Sequence, residues 1–235
     1  MRYNGPGTAP IPDNFQSGSP GFRIIYGRRK NIPLPPGNWT VIGSEVAKVG
    51  DRGYKIAHTL ARIEGNSLHS AIEIQTIHPI KKINEKDGDG VGWPTWRNCS
   101  RDGMHFLKVY SNTRLGKQDC WWINHQRMDR QSQLEHWMEA RKYLSENQIR
   151  APLDMVGVSF RIANKSDYLT ATYFFNPEKT RFSGGNDLFW RIHTWATSVW
   201  HPDKVRGNKK KIKYIKELIS WGTQWHGKVK ASVGL

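Results

Sequence analysis

Alternating apolar and polar positions dominate the first two thirds of the chain. Residues 39–49, 54–64 and 67–77 are runs rich in β-branched side chains. They are parted by Gly50-Asp51-Arg52-Gly53 and Glu64-Gly65-Asn66-Ser67, whose chemistry suits tight hairpin turns. Three such runs with two such turns predict an antiparallel meander. In the third run Leu68, Ser70, Ile72, Ile74 and Thr76 share one face, while His69, Ala71, Glu73, Gln75 and Ile77 share the other. One face is apolar and the other half polar, as in a sheet wet on one side. Further strands are expected at 22–26, 104–111, 154–162 and 168–176, the last two joined by Asn164-Lys165-Ser166-Asp167.

The chain changes character around Asp119-Cys120-Trp121-Trp122-Ile123-Asn124-His125. As a strand, this stretch puts Cys120, Trp122 and Asn124 on one face and Trp121, Ile123 and His125 on the other. An indole on each face predicts a central strand covered on both sides.

Helical periods follow. Ser132-Gln133-Leu134-Glu135 has the form of a capping box, with Leu134, Trp137, Met138 and Leu144 as the apolar stripe behind it. Residues 186–200 carry Leu188, Ile192, Trp195 and Val199 at helical offsets, and His201-Pro202-Asp203 should break that helix. Asn208 can cap a last helix with Ile212, Ile215, Leu218, Ile219 and Trp225 inward. The expected fold class is α+β: one antiparallel sheet of about six to eight strands covered by about three helices. Residues 1–21, rich in Gly, Pro and Ser, read as a flexible tail or linker, and 22–235 as a single domain.

Composition adds a sign to this picture. Thirty-six Lys and Arg stand against 20 Asp and Glu, a net charge of +16. Such a field favours nucleic acid or an acidic lipid, glycan or protein surface. The densest cluster is Lys209, Lys210, Lys211, Lys213 and Lys216, at the start of the last helix. Cations there oppose the helix dipole, a local cost that an anionic partner would offset. The competing reading of this cluster is a solvated helix end. No apolar run is long enough for a transmembrane helix, and residues 1–21 hold no apolar stretch of the kind an intact signal peptide needs.

Candidate chemistry is sparse. Cys99 and Cys120 are the two cysteines, 21 residues apart. A disulfide between them would stabilise by roughly 3 kcal/mol. Two free buried thiols, or Cys120 as a nucleophile with His125, are the competing readings, although alternation points those two side chains to opposite sides. No CxxC or HExxH spacing is present, so no metal site and no cofactor are expected. Asp87-Gly88-Asp89-Gly90 lacks the closing Glu of a calcium loop and reads as a turn. Asn38, Asn98 and Asn164 head short glycosylation-type triplets.

The order Ile32-Pro33-Leu34-Pro35-Pro36-Gly37-Asn38-Trp39, Cys120-Trp121-Trp122-Ile123-Asn124-His125, Tyr173-Phe174-Phe175-Asn176-Pro177-Glu178 and Trp200-His201-Pro202 resembles a group of proteobacterial proteins without an assigned reaction. The resemblance covers about residues 22–230. It implies export, which fits a Cys99–Cys120 bridge, and it supplies no catalytic residues. The expected function is a non-enzymatic envelope protein, periplasmic or surface-associated, that binds an anionic partner or serves a larger assembly as an accessory subunit. A basic nucleic-acid-binding protein, cytoplasmic in that case, is the alternative. A hydrolase centred on His125 with Asp119 is the remote one. Trp121, Trp122, Asn124 and His125 form a motif without an assigned role.

Overall fold

The computed structural model describes residues 21–24, 30–49, 53–79, 99–100, 102–113, 117–128, 134–164, 168–180 and 195–233. Among them the fold is α+β, with a seven-stranded antiparallel sheet and three helices. A two-stranded ribbon pairs β1 (Gly21–Ile24) with β2 (Lys30–Pro33). The main sheet contains β3 (Thr40–Val49), β4 (Gly53–Glu64), β5 (Ser67–Pro79), β6 (Phe106–Asn112), β7 (Gln118–Arg127), β8 (Asp154–Ala163) and β9 (Tyr168–Phe175). Its spatial order is β3-β4-β5-β9-β8-β7-β6. The chain thus makes two meanders, β3 to β5 and β6 to β9, which join where β5 pairs with β9. The turns at 50–52 and 165–167, the Asp87 to Gly90 stretch and most of the tail lie outside the described residues.

Both faces of the sheet carry a helix. On one face α3 (Lys209–Ala231) covers Trp121, Ile123, Val158, Phe160, Ile72 and Tyr173 with Ile215, Leu218, Trp225 and Val229. Asn208 caps this helix as its sequence predicts, its Oδ1 accepting from the Lys211 backbone N–H at 3.1 Å. The proline-rich run straps the same core. Its carbonyls at Pro35, Pro36 and Pro33 accept from Trp39 Nε1 at 2.8 Å, Arg62 Nη1 at 3.1 Å and Tyr173 Oη at 2.9 Å. Gly37 ends the run at φ +132°, a value that favours glycine.

On the opposite face α1 (Glu135–Glu146) lies over β3 and β4. Here several expectations are corrected. The helix begins at Glu135 with Leu134 as N-cap and no side-chain cap bond from it, and Ser132 and Gln133 of the expected capping box lie outside the described residues. Its buried positions are His136, Trp137, Ala140 and Leu144, while Leu134 and Met138 are exposed. The stripe rotates because His136 faces two carboxylates on the sheet, and because Gly43 lets the helix backbone approach. A β-carbon on Gly43 would stand 2.0 Å from the His136 carbonyl oxygen. The second face of β5 is therefore not simply wet. Ala71 packs under α1, and Glu73 receives the helix's polar groups.

Two more corrections concern position. β7, which carries the Cys120 to His125 motif, is next to the edge strand β6 and not central. Of the helix expected at 186–200, residues 186–194 lie outside the described residues, and 195–200 form turns. His201-Pro202-Asp203 starts a helix where it was expected to break one. His201 is the N-cap and Pro202 the first residue of α2 (Pro202–Arg206), a position where proline loses no hydrogen bond.

Candidate functional site

The motif strand β7 divides its side chains as alternation predicts. Trp121 and Ile123 enter the α3-side core, while Cys120 and Trp122 join a separate cluster with Cys99, Met104 and Leu107. Cys99 and Cys120 are disulfide-bonded and buried, tying the segment before β6 to β7. That arrangement leaves Cys120 no thiol to act as a nucleophile.

His125 is buried on the α3 side and stacks on Trp195, ring centroids 5.1 Å apart. Its Nε2 donates to the Trp195 carbonyl at 3.0 Å. His105 and His201 lie beside it, at 5.9 Å and 6.1 Å between ring centroids. Burial, aided by the charges on His125 and His201, lowers the His105 pKa to about 4, with a hydrogen bond to the Trp200 backbone opposing. Asp119 does not partner His125. The two are six residues apart on one strand, about 20 Å at the strand rise. The Asp119 carboxylate instead meets His226 Nε2 at 2.6 Å and Lys230 Nζ at 2.8 Å, both from α3. The acid and base of the remote hydrolase reading are thus not brought together.

Of the five lysines, Lys209, Lys210, Lys213 and Lys216 are exposed. At 3.6 residues per turn, Lys209, Lys213 and Lys216 share the face of α3 opposite its buried stripe. No acid occupies the first turn. Lys211 differs from the other four. It is half-buried, its Nζ donates to the Val199 carbonyl, and it lies 5.0 Å from the Trp200 ring centroid. Burial and neighbouring Lys204 lower its pKa, with Asp154 opposing. Lys211 therefore ties α3 to the turn before α2, and the outward patch has four lysines.

Sequence reasoning missed the polar floor on the α1 side of the sheet. The registers place Trp122, Ser159, Thr172 and Glu73 in one rung across β7, β8, β9 and β5. The next rung runs Cys120, Arg161, Thr170, Gln75 across the same strands. Beside α1 these side chains, Cys120 excepted, line a cavity of about 270 Å³. Ser159 and Thr172 hydroxyls bond each other at 2.9 Å, and Arg161 donates to Gln118 Oε1 and, at 2.9 Å, to Tyr168 Oη. The available signal was a period-2 polar series on three strands at once: Glu73 and Gln75, Ser159 and Arg161, Thr170 and Thr172. Each strand alone looks merely wet on one side.

At the edge of this floor His136 sits between two acids. Its Nδ1 is 2.7 Å from Glu45 Oε2 and its Nε2 3.0 Å from Glu73 Oε1, so the ring donates on both sides only as an imidazolium. Burial pushes both carboxyls up. The hydrogen bonds from Lys55 and His136 at Glu45, and from His136, Gln75 and Trp137 at Glu73, outweigh it and hold both below the usual range. Neighbouring His58 is lowered to about 4, by burial first and the His136 charge second.

The fold and site define an α+β protein with a helix-covered core on one face of its sheet and a polar cavity on the other. Comparisons with family models, with curated proteins and with solved structures give no match.

Proposed function

We propose that this chain is a non-enzymatic protein of the cell envelope, periplasmic or surface-associated. It docks onto an acidic partner through the outward lysines of α3 and serves a larger assembly as an accessory subunit. The observation that carries this reading is the stripe of Lys209, Lys213 and Lys216 with Lys210 beside it, at a helix end without a first-turn acid. The arrangement is unfavourable for the isolated helix, and an anionic surface reverses the sign of that term. The Cys99–Cys120 bond supports an oxidising compartment, because the cytosol keeps thiols reduced. The resemblance to exported proteobacterial proteins points the same way. Among the described residues no helix is long and apolar enough to cross a membrane.

Nucleic acid is the competing anion. The large aromatics of α3 argue against it, since Trp221 and Trp225 stack on each other at 5.0 Å and pack edge-on against Tyr173. Trp225 is core and half-buried Trp221 packs against it, so both rings are engaged with core partners rather than presented for base stacking. Binding to phosphatidylglycerol vesicles, neutral phosphatidylcholine vesicles and duplex DNA, compared at equal ionic strength, separates the readings. Preference for the anionic vesicles supports the envelope assignment, and tighter binding to DNA overturns it.

A further inference from the structure

The docking patch lies on the α3 side, and the cavity of about 270 Å³ lies on the other face of the sheet. We propose that this cavity is a binding site for a neutral polyhydroxylated molecule, a mono- or disaccharide. It goes beyond the docking function and does not depend on it.

The argument rests on hydrogen-bonding capacity left over at both walls. On the β5 wall, Gln75 Nε2, His136 Nε2 and Trp137 Nε1 all donate to Oε1 of Glu73. Oε2 of the same carboxylate accepts nothing among the described residues. The carbonyl oxygen of Gln75 is likewise unused there, since the side chain's bond is made by its amide nitrogen. On the β7 wall, Asn124 uses Oδ1 to accept from the His125 backbone N–H at 2.9 Å, which leaves its Nδ2 donors over among the described residues. Gln126 makes no side-chain hydrogen bond among the described residues. Acceptors therefore stand on one wall, and donors and acceptors on the other. The walls are three strand spacings apart, about 14 Å between backbones.

A ligand that satisfies this set carries groups that donate and accept at many positions around a small frame. Hydroxyls do both, and a sugar ring presents them on its whole perimeter. The Glu73 carboxylate offers a hydroxyl a charge-assisted bond. Trp122 and Phe174 also line the cavity, and their rings suit the apolar C–H faces of a sugar. Charge gives no net advantage to a ligand of a single sign. Glu73 is held ionised and repels an anion, while Arg161 lines the same space and repels a cation. The volume lies just under the range of about 300–1,000 Å³ usual for larger ligands. Gly157, facing Asn124 across the β7–β8 ladder, keeps the floor low. A β-carbon there would stand 3.0 Å from the Phe174 ring.

Saturation-transfer NMR on the intact chain tests the site, with glucose, galactose, N-acetylglucosamine, maltose and cellobiose as probes and citrate and glutamate as charged controls. At least one sugar should receive transfer on its ring C–H protons. N124L/Q126L, which removes amides from one wall, should weaken that sugar by roughly tenfold or more. Thr170→Leu, which narrows the floor from another strand, should do the same and serves if the first variant folds poorly. Replacing Lys209, Lys210, Lys213 and Lys216 should leave sugar binding unchanged, so this site and the docking patch fail or stand separately. Absence of transfer to every sugar overturns the proposal. So does sugar binding that neither cavity variant weakens, or a charged control that binds more tightly than any sugar.

Discussion

Gly222 of α3 sits directly against the Trp121 ring: a β-carbon on Gly222 would stand 2.5 Å from Trp121 Cζ3. The contact explains how a helix bearing Trp221 and Trp225 can still lie close to a strand with paired indoles. Trp121 is 1% exposed, so its ring has little room to move aside. Gly222→Ala should therefore destabilise the fold by about 1–3 kcal/mol through overpacking. Trp121→Leu in the same background should recover part of that loss. A double-mutant cycle by urea denaturation measures the coupling, and additive effects would contradict the contact.

The His136 bridge should be costly to break from one side. His136→Leu leaves Glu45 and Glu73 without their shared donor, and losing one partner of a buried ionic group costs about 3–5 kcal/mol. Lys55, 2.8 Å from Glu45, keeps a charged partner for that acid, while Glu73 retains only the neutral donors of Gln75 and Trp137. Adding Glu73→Gln to His136→Leu should thus restore stability in part. Equal stability of His136→Leu and the wild type would contradict the bridge.

Stability should fall in two stages as pH is lowered from 7, the first above about pH 4 and the second beginning below pH 4.5. His58 and His105 have folded pKa values lowered from 6.5 to about 4, so in this window the unfolded chain binds more protons and loses less by acidification. Each contributes stability that is present above about 6.5 and lost progressively down to about 4, on the order of 3 kcal/mol apiece. Glu45 and Glu73 are depressed carboxyls, so their contribution is present above the unfolded value of 4.5 and is lost as pH falls below it. Denaturation midpoints across this range check the sign. His58→Gln should flatten the first stage, and a profile that is flat from pH 7 to pH 4.5 in the wild type would contradict it.

Much of this architecture is legible in the chain because its local signals agree. Alternation assigned the faces of Cys120, Trp121 and Trp122, and the side chain of Asn208 announced the last helix. The misplaced features depend on distant partners. Nothing near Ser132 reveals that His136 turns inward, because its acceptors are Glu45 and Glu73, 91 and 63 residues away. Pro202 looked like a breaker because proline ends helices from within yet starts them at the first turn. Lys211 could not be separated from its neighbours until Trp200 and Val199 were placed beside it. The cavity floor is the clearest case, since its rungs exist only once β5 pairs with β9.

The disulfide gives a direct test of compartment. Non-reducing peptide mapping of protein recovered from its native host should return a Cys99–Cys120 crosslinked peptide. Reduction should lower stability by roughly 3 kcal/mol, as expected for a loop of this length. Two thiols open to alkylation in freshly recovered protein would remove the bridge and the envelope assignment with it.

The docking claim itself is tested by one comparison. Binding to phosphatidylglycerol vesicles is measured for the wild type and for the variant with Lys209, Lys210, Lys213 and Lys216 changed to Gln, at low and moderate salt. Each lysine near an anionic surface contributes about 1 kcal/mol, so the variant should bind at least about tenfold more weakly at low salt. Its dependence on salt should also flatten, while its denaturation midpoint stays within experimental error because exposed charges contribute little to folding. Equal affinity and equal salt dependence for the two proteins would contradict the assignment of this helix face as the docking surface.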